Sequence, residues 1–123
     1  MASFSIKELM KKSVQSDEIF NGKHLTTSEI IEEFPDGIFI DDVYEFCNAD
    51  GEFIIAYGFA DAGENRYYAY AGEVLKRGFA EIAAAYKKPL NDCREEFRKE
   101  GVAVKLYNDT TKKGRGFTNV MYL

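Results

Sequence analysis

Residues 37–71 read GIFIDDVYEFCNADGEFIIAYGFADAGENRYYAYA, and this stretch decides the fold that the sequence predicts. Apolar and polar residues alternate here in three segments, Gly37–Cys47, Glu52–Ala60 and Arg66–Ala71, with the period of two that is typical of strands. The short pieces between the segments are rich in Asn, Asp and Gly, which favour turns. Three strands joined by short turns predict an antiparallel meander.

The same period predicts which side chains share a face of the meander. In the second segment one face carries Phe53, Ile55, Tyr57 and Phe59. In the third segment Tyr68 and Tyr70 share a face, and Tyr67 points to the other.

Helical signals precede the meander. Residues 3–13 form a rough apolar stripe and predict a short N-terminal helix. Thr26 and Glu29 have the spacing of a capping box, which predicts a second short helix that Pro35 ends.

Helical signals also follow the meander. Gly72–Tyr86 has apolar residues at three- and four-residue spacings, as in a helix lying on a sheet. Asn91–Glu100 predicts a further helix that Gly101 ends at its C′ position. Val102–Tyr107 and Phe117–Leu123 then alternate on either side of a TTKKGRG tip, which predicts a closing hairpin.

This order of elements predicts an α+β, mostly β fold. Three strands, a helical insertion and a two-stranded hairpin are the order of an OB-fold, a five-stranded, partly open antiparallel barrel. The alternative is a sandwich with helices on one face of an antiparallel sheet, because closure of a barrel depends on strand pairing. We expect residues 1–22 to form an N-terminal helix and linker, and residues 23–123 a single OB-like domain.

Charge is distributed unevenly along the chain. Residues 17–64 carry thirteen Asp or Glu and one cationic side chain, Lys23, whereas the whole chain has a net charge of −5. The last 23 residues carry four Lys or Arg against one acid, Asp109. This polarity predicts one surface that repels polyanions and another that attracts them.

Several classes of protein are disfavoured by the sequence. No apolar run is long enough to span a bilayer, and the first residues lack the apolar stretch of a signal peptide, so we expect a cytoplasmic protein. Cys47 and Cys93 lack metal or redox spacing, and His24 is the single histidine, so we expect reduced thiols and no metal or cofactor.

Catalytic motifs are also missing from the sequence. There is no phosphate-binding loop, no nucleophile elbow and no zinc-protease motif. Asp41 and Asp42 are adjacent on a predicted strand, where neighbouring side chains point to opposite faces, so the two carboxylates are not expected to converge. We therefore expect a protein that is not an enzyme.

Three segments resemble a family of small proteins encoded by phages or mobile elements of Gram-positive bacteria and regarded as single-stranded DNA-binding. They are KHLTTSEIIEEFPDGIFIDDVYEF, RYYAYAGEVL and GVAVKLYNDTTKKGRGFTNVMYL, and the resemblance covers residues 23–123. Its most specific part is the T-K-x-G-x-x-[FY]-T pattern at Thr111–Thr118. Cellular single-strand binders end in a flexible acidic tail, whereas this sequence ends in Met-Tyr-Leu, so recruitment of repair enzymes through such a tail is not expected.

Sequence-independent binding of a single strand needs cations for the phosphates and aromatic faces for the bases. The candidate aromatic residues are Tyr57, Tyr68, Tyr70, Tyr107 and Phe117. The candidate phosphate contacts are Arg66, Lys105, Lys112, Lys113 and Arg115. Strand tyrosines also suit simple packing, and tip lysines also suit a solvated turn, so both structural interpretations stay open.

An alternative function follows from the acidic segment 17–64. Such a surface could occupy the cationic channel of a host or phage replication or defence protein, for example a CRISPR-type complex, and inhibit it. Exposed sheet edges and the apolar stripe at residues 4–10 also make a homo-oligomer compatible with the sequence. The sequence does not distinguish DNA from RNA as the ligand.

Overall fold

The computed structural model describes Phe20 and residues 22–123 of the chain. Their strands are β1 (Lys23–His24), β2 (Ile38–Cys47), β3 (Phe53–Ala60), β4 (Arg66–Tyr70), β5 (Val102–Thr110) and β6 (Gly116–Tyr122). Their α-helices are α1 (Thr27–Glu33), α2 (Glu73–Tyr86) and α3 (Arg94–Lys99), and a 3₁₀ turn, Leu90–Cys93, leads into α3. The helix expected at residues 3–13 lies outside the described residues. No helix in the described part of the chain is both long and apolar enough to cross a bilayer.

The described strands form one curled sheet in the order β1-β4-β3-β2-β5-β6. β1 runs parallel to β4, and every other neighbouring pair is antiparallel. The α+β class, the meander and the closing hairpin are confirmed. The strand count is six rather than the expected five, because Lys23 and His24 pair with Tyr67 and Tyr68 along the edge of β4.

Most helices and strands begin and end close to the residues that the sequence predicted. Thr26 Oγ1 accepts a hydrogen bond from the Glu29 N–H at 3.2 Å, and Glu29 Oε1 accepts one from the Thr26 N–H at 3.1 Å, which completes the capping box. The segment Asn91–Glu100 differs from the expectation, because it starts as a 3₁₀ turn and becomes α-helical only at Arg94.

The sheet has two faces with different partners. On one, the helix face, Leu75 and Phe79 of α2 and Phe97 of α3 pack against apolar strand residues and form the main core. The strand residues of that core include Ile40, Val43, Ile55, Tyr57, Phe59, Val104 and Leu106. On the opposite side, the outer face, a smaller cluster contains Phe20, Phe46, Ala56 and Tyr68.

A bulge in β2 changes the direction of its acidic side chains. The pairing of β2 with β3 shifts between Ile40 and Asp42, while Ile40 and Val43 both lie in the main core. Asp42 is paired with Gly58, so the side chain of Asp42 lies on the face to which a Cβ on Gly58 would point. That Cβ would meet the Phe20 ring, which belongs to the outer-face cluster, and the Arg66 guanidinium. Arg66 binds Asp41, which places Asp41 on the same face. Both carboxylates therefore lie on the outer face, and the expectation that they point to opposite faces is wrong.

The β5–β6 hairpin reaches beyond the rest of the sheet. Val104 is paired with Ile38, the first residue of β2, so Lys105–Thr110 continues past the end of β2. Six residues of strand span about 20 Å. The hairpin arm, residues 105–121, is longer than predicted, since its strands run to Thr110 and start at Gly116. Its tip is closed by a hydrogen bond from the Thr111 N–H to the Arg115 carbonyl at 2.8 Å.

Candidate nucleic-acid interface

A band of aromatic rings crosses the outer face from β2 to β1. Tyr44 and Phe46 on β2 lie with ring centroids 6.4 Å apart, and Phe46 lies 6.3 Å from Tyr70 on β4. Tyr70 is 6.1 Å from Tyr68, and His24 on β1 is 5.2 Å from both tyrosines. These five residues are called the aromatic band below. The band runs across the strands of the sheet.

Small residues on β3 let the rings of β2 and β4 approach each other. Ala56 is paired with Tyr44 on one side and with Tyr70 on the other. Because the methyl group of Ala56 is short, the rings of Phe46 and Tyr70 can lean over it and meet. Tyr68 and Tyr70, which the sequence predicted, thus belong to the five-residue aromatic band. The sequence analysis did not select Tyr44 and Phe46, although their alternation along β2 indicated that they share a face.

Accessibility differs along the aromatic band. Tyr70 is 36% exposed, His24 is exposed and Tyr44 is half-buried. Phe46 and Tyr68 are buried, and Phe20 stacks on Tyr68 at 5.8 Å. Phe20 therefore packs on the sheet although it precedes residue 23, where the domain was expected to begin. The ring faces that a base can reach most directly are those of Tyr44, Tyr70 and His24.

Arg66, a predicted phosphate contact, is held by an acid on the same face. Its Nη1 and Nη2 donate to the two carboxylate oxygens of Asp41 at 2.6 and 2.8 Å. Hydrogen bonding to Asp41 raises the pKa of the Arg66 guanidinium. The bidentate pair neutralises Asp41 and leaves Arg66 to contribute to the interface as one half of an ion pair.

Asp42 is held by two arginines that the sequence analysis did not select. Arg94 Nε and Nη2 donate to its carboxylate at 2.8 and 2.9 Å, and Arg98 Nη2 lies 3.5 Å away. The Arg94 guanidinium also lies over the Tyr44 ring, 5.5 Å from its centroid. The Arg98 side chain is 57% exposed. The i, i+4 spacing of Arg94 and Arg98 on α3 was the available signal that they share a helix face.

These ion pairs change the sign of the charge beside the aromatic band. Asp41 and Asp42 contribute two negative charges, and Arg66, Arg94 and Arg98 contribute three positive ones. The positive charge of these arginines therefore exceeds the negative charge of Asp41 and Asp42 by one.

Tyr57 occupies a different place from the other predicted aromatic residues. Its side chain is 1% exposed and its ring packs between Phe59 and Phe79, at 6.2 and 6.1 Å. Burial raises the pKa of the Tyr57 hydroxyl above its ordinary value. Tyr57 is therefore part of the core and offers no ring to a base. Phe53, which the period of two places on the same face of β3, is 61% exposed at the start of that strand.

The predicted residues of the hairpin arm form a second group. Lys105, Tyr107 and Phe117 are half-buried and are paired across the arm with Met121, Asn119 and Asp109, so their side chains share one face of the arm. β4 and β5 are separated by three strand spacings, or about 14 Å on a flat sheet. Lys112, Lys113 and Arg115 are exposed at the tip. The candidate interface thus has an aromatic part and a cationic arm.

Among the residues that the structure describes, no three His, Cys, Asp or Glu side chains are grouped so that they could hold a metal ion. Asp41 and Asp42 do converge on one face, but their oxygens accept hydrogen bonds from arginines.

No protein-family model, curated protein or solved structure matches this chain. The resemblance to phage-type single-strand binders stays a prediction that rests on residue patterns.

Proposed function

We propose that this protein binds single-stranded DNA with little sequence preference, through the aromatic band and the hairpin arm. The observation that carries the proposal is the aromatic band, which crosses the strands with accessible rings at Tyr44, Tyr70 and His24 and has Arg94 and Arg98 at its β2 end. Stacking on an aromatic side chain contributes about 1–3 kcal/mol per base and is tolerant of sequence, because every base has a π face.

The cationic arm supplies the second requirement of such binding. Lys112, Lys113 and Arg115 are exposed and lie within five residues of one another at the tip. Cations that contact phosphates displace condensed counterions, so affinity should fall as salt rises. A role on DNA also implies a cytoplasmic protein, as the sequence predicts.

The proposed fold for this function is an opened OB-like barrel. The long strand β2 pairs both with β3 of the meander and with β5 of the hairpin, which is compatible with the curling of a small barrel. OB-folds bind single strands on the face of their second and third strands and on the loops after the first and fourth. The corresponding parts here are the outer face of β3 and β4 and the tip at residues 111–115.

The test is fluorescence anisotropy of a labelled oligo(dT) at about 50 and about 200 mM salt. We expect wild-type protein to bind at the lower salt. Changing Lys112, Lys113 and Arg115 together to Ala removes three phosphate contacts and should reduce the slope of log affinity against log salt by about 2. The matched control changes three exposed cations away from the arm to Ala and should leave the slope unchanged; they are Arg77 on α2, Lys87 just after α2 and Lys99 on α3.

The aromatic part is tested with Tyr44→Ala combined with Tyr70→Ala. We expect affinity to fall at least tenfold at both salt concentrations, since two stacking positions contribute about 1–3 kcal/mol each. Tyr86→Ala is the control, because Tyr86 is 41% exposed on α2. The proposal is overturned if wild-type protein does not bind oligo(dT) at the lower salt, or if both sets of variants bind like wild type.

The alternative, an acidic surface that inhibits a cationic nucleic-acid enzyme, would rest on fewer residues than the sequence implies. Asp41 and Asp42 are engaged by arginines, whereas Glu32, Glu33 and Asp36 are exposed near α1. Reversing these three exposed acids to Lys should abolish capture of such a partner and leave oligo(dT) binding intact. Absence of oligo(dT) binding would favour this alternative.

A further inference from the structure

A pocket lies beside the middle of the aromatic band, where β3 begins, β4 ends and α2 begins. Its volume is about 320 Å³, and it is lined by Phe46, Phe53, Ile54, Tyr70, Ala71 and Lys76. Phe46 and Tyr70 belong to both the band and the pocket, so the two are continuous. The volume is at the lower end of the range of about 300–1,000 Å³ for small-molecule sites.

The walls of the pocket combine rings with one cation. Phe53 is 61% exposed, so much of its side chain is accessible at the pocket. Lys76 Nζ donates to the Phe53 carbonyl oxygen at 2.6 Å. This bond uses one of the three donors of the ammonium group and holds the cation at the pocket. None of the described residues that line the pocket is acidic, and Lys76 is the cation among them.

We propose that this pocket receives one nucleobase, which contacts the Phe53 and Tyr70 rings that line it, while Lys76 binds the adjacent phosphate. The inference rests on the proposed function and gives the single strand a fixed anchor on the protein. Lys76 and the Tyr70 hydroxyl are the polar side-chain groups of the lining, and the remaining walls are apolar. Purines and pyrimidines should therefore be accepted alike.

The experiment uses a tryptophan reporter, because the chain contains no tryptophan. Phe53→Trp places a single indole in the pocket, and a base stacked on it should quench its emission. Tyr86→Trp is the matched control on α2, where the side chain is also well exposed. Both proteins are titrated with labelled oligo(dT), and anisotropy is recorded in the same samples. We expect emission to fall with binding for Phe53→Trp and to stay constant for Tyr86→Trp.

The outcomes separate this inference from the proposed function. Binding by anisotropy without quenching of Phe53→Trp would overturn the pocket and leave single-strand binding standing. Absence of oligo(dT) binding would overturn the proposed function, and a titration of Phe53→Trp with thymidine monophosphate would then decide the pocket. Quenching by the mononucleotide would support a nucleotide site, and constant emission would overturn it.

A second measurement tests the role given to Lys76. Lys76→Gln should reduce the slope of log affinity for oligo(dT) against log salt by about 0.7, the value for one phosphate contact on a single strand. Arg77→Gln removes the same charge from the next position of α2 and should leave the slope unchanged. Equal slopes for the two variants would overturn the assignment of Lys76 as a phosphate ligand.

Discussion

At the scale of residues, the tyrosines have different roles because their surroundings differ. Tyr57 and Tyr70 lie on neighbouring strands, but Tyr57 points to the helix face and Tyr70 to the outer face. Tyr122 shows a third role, since its hydroxyl packs against the backbone of α2 at Gly78. Burial and the nearby Glu81 raise the pKa of Tyr122.

Gly78→Ala should destabilise the protein although alanine is the better helix former. A Cβ at position 78 would overlap the Tyr122 hydroxyl, so Tyr122 or α2 must shift. We expect the free energy of unfolding to fall by up to about 1 kcal/mol, because the half-exposed Tyr122 ring can move aside and relieve part of the overpacking. Urea denaturation followed by circular dichroism measures the change.

Tyr122→Phe provides the control for this prediction, because it removes the overlapping oxygen. In the Tyr122→Phe background, Gly78→Ala should cost little or should stabilise, since Ala is favoured over Gly in a helix by about 1 kcal/mol. A similar destabilisation in both backgrounds would show that the hydroxyl contact is not the cause.

At the scale of elements, the 3₁₀ turn completes an edge of the sheet that β5 leaves open. β5 pairs with β2 only at Ile38–Ile40. Further along β2, Asn91 Oδ1 accepts from the Glu45 N–H at 2.6 Å, and Asn91 Nδ2 donates to the Glu45 carbonyl at 2.9 Å. One amide side chain thus makes the two hydrogen bonds that a neighbouring strand would make, and it covers an edge that could pair with another chain.

Asn91→Ala should remove both hydrogen bonds and expose this edge. We expect a loss of about 2 kcal/mol in the free energy of unfolding, at about 1 kcal/mol per hydrogen bond. Light scattering during storage should also increase, because unpaired strand edges promote association. Asp92→Ala, at the exposed neighbouring position, should change stability by less than about 0.5 kcal/mol. Equal stability of the two variants would contradict the proposed role of Asn91.

At the scale of the whole molecule, folding redistributes the charge that the sequence displays. The net charge is −5, yet the acids of the β2 bulge are paired with arginines, and the cations of the arm remain exposed at its tip. Other acids are engaged as hydrogen-bond acceptors. The Asp61 carboxylate accepts from the backbone N–H groups of Gly63 and Asn65 at 2.8 and 2.9 Å, which closes the turn between β3 and β4.

The free energy of unfolding should be constant between about pH 5 and about pH 8 and should fall in more acidic solution. Hydrogen bonds from Asn65 lower the pKa of Asp61, those from Asn119 lower that of Asp109, and those from Thr26 lower that of Glu29. Each depressed pKa favours the folded state above the ordinary values of 3.8 for Asp and 4.5 for Glu, and this contribution is lost as pH falls through the folded-state pKa.

The measurement for this prediction is the urea midpoint between pH 7 and about pH 3. We expect Asp61→Asn to show a smaller decrease over that range than wild type, because it removes one of the titrating groups. A midpoint that does not change on acidification would contradict the assignment of these carboxylates as native-state acceptors.

The sequence by itself determined the elements whose signals are local. The capping box at Thr26, the alternation of β3 and β4 and the stripe of α2 depend on residues a few positions apart, so their boundaries agree with the structure to within one or two residues. The charge of the arm tip was also visible in the sequence, because a hairpin keeps neighbouring residues together.

Only the tertiary structure decided which residues meet across the chain. The bulge that turns Asp41 and Asp42 to one face depends on the pairing of β2 with β3, and Arg94, one of the two arginines that bind Asp42, lies 52 residues later in the chain. The two-residue strand β1 and the enclosure of Tyr57 also depend on distant partners. The hydrophobic period and the helix or strand propensity of a segment depend on that segment alone, whereas these features arise from packing between distant segments.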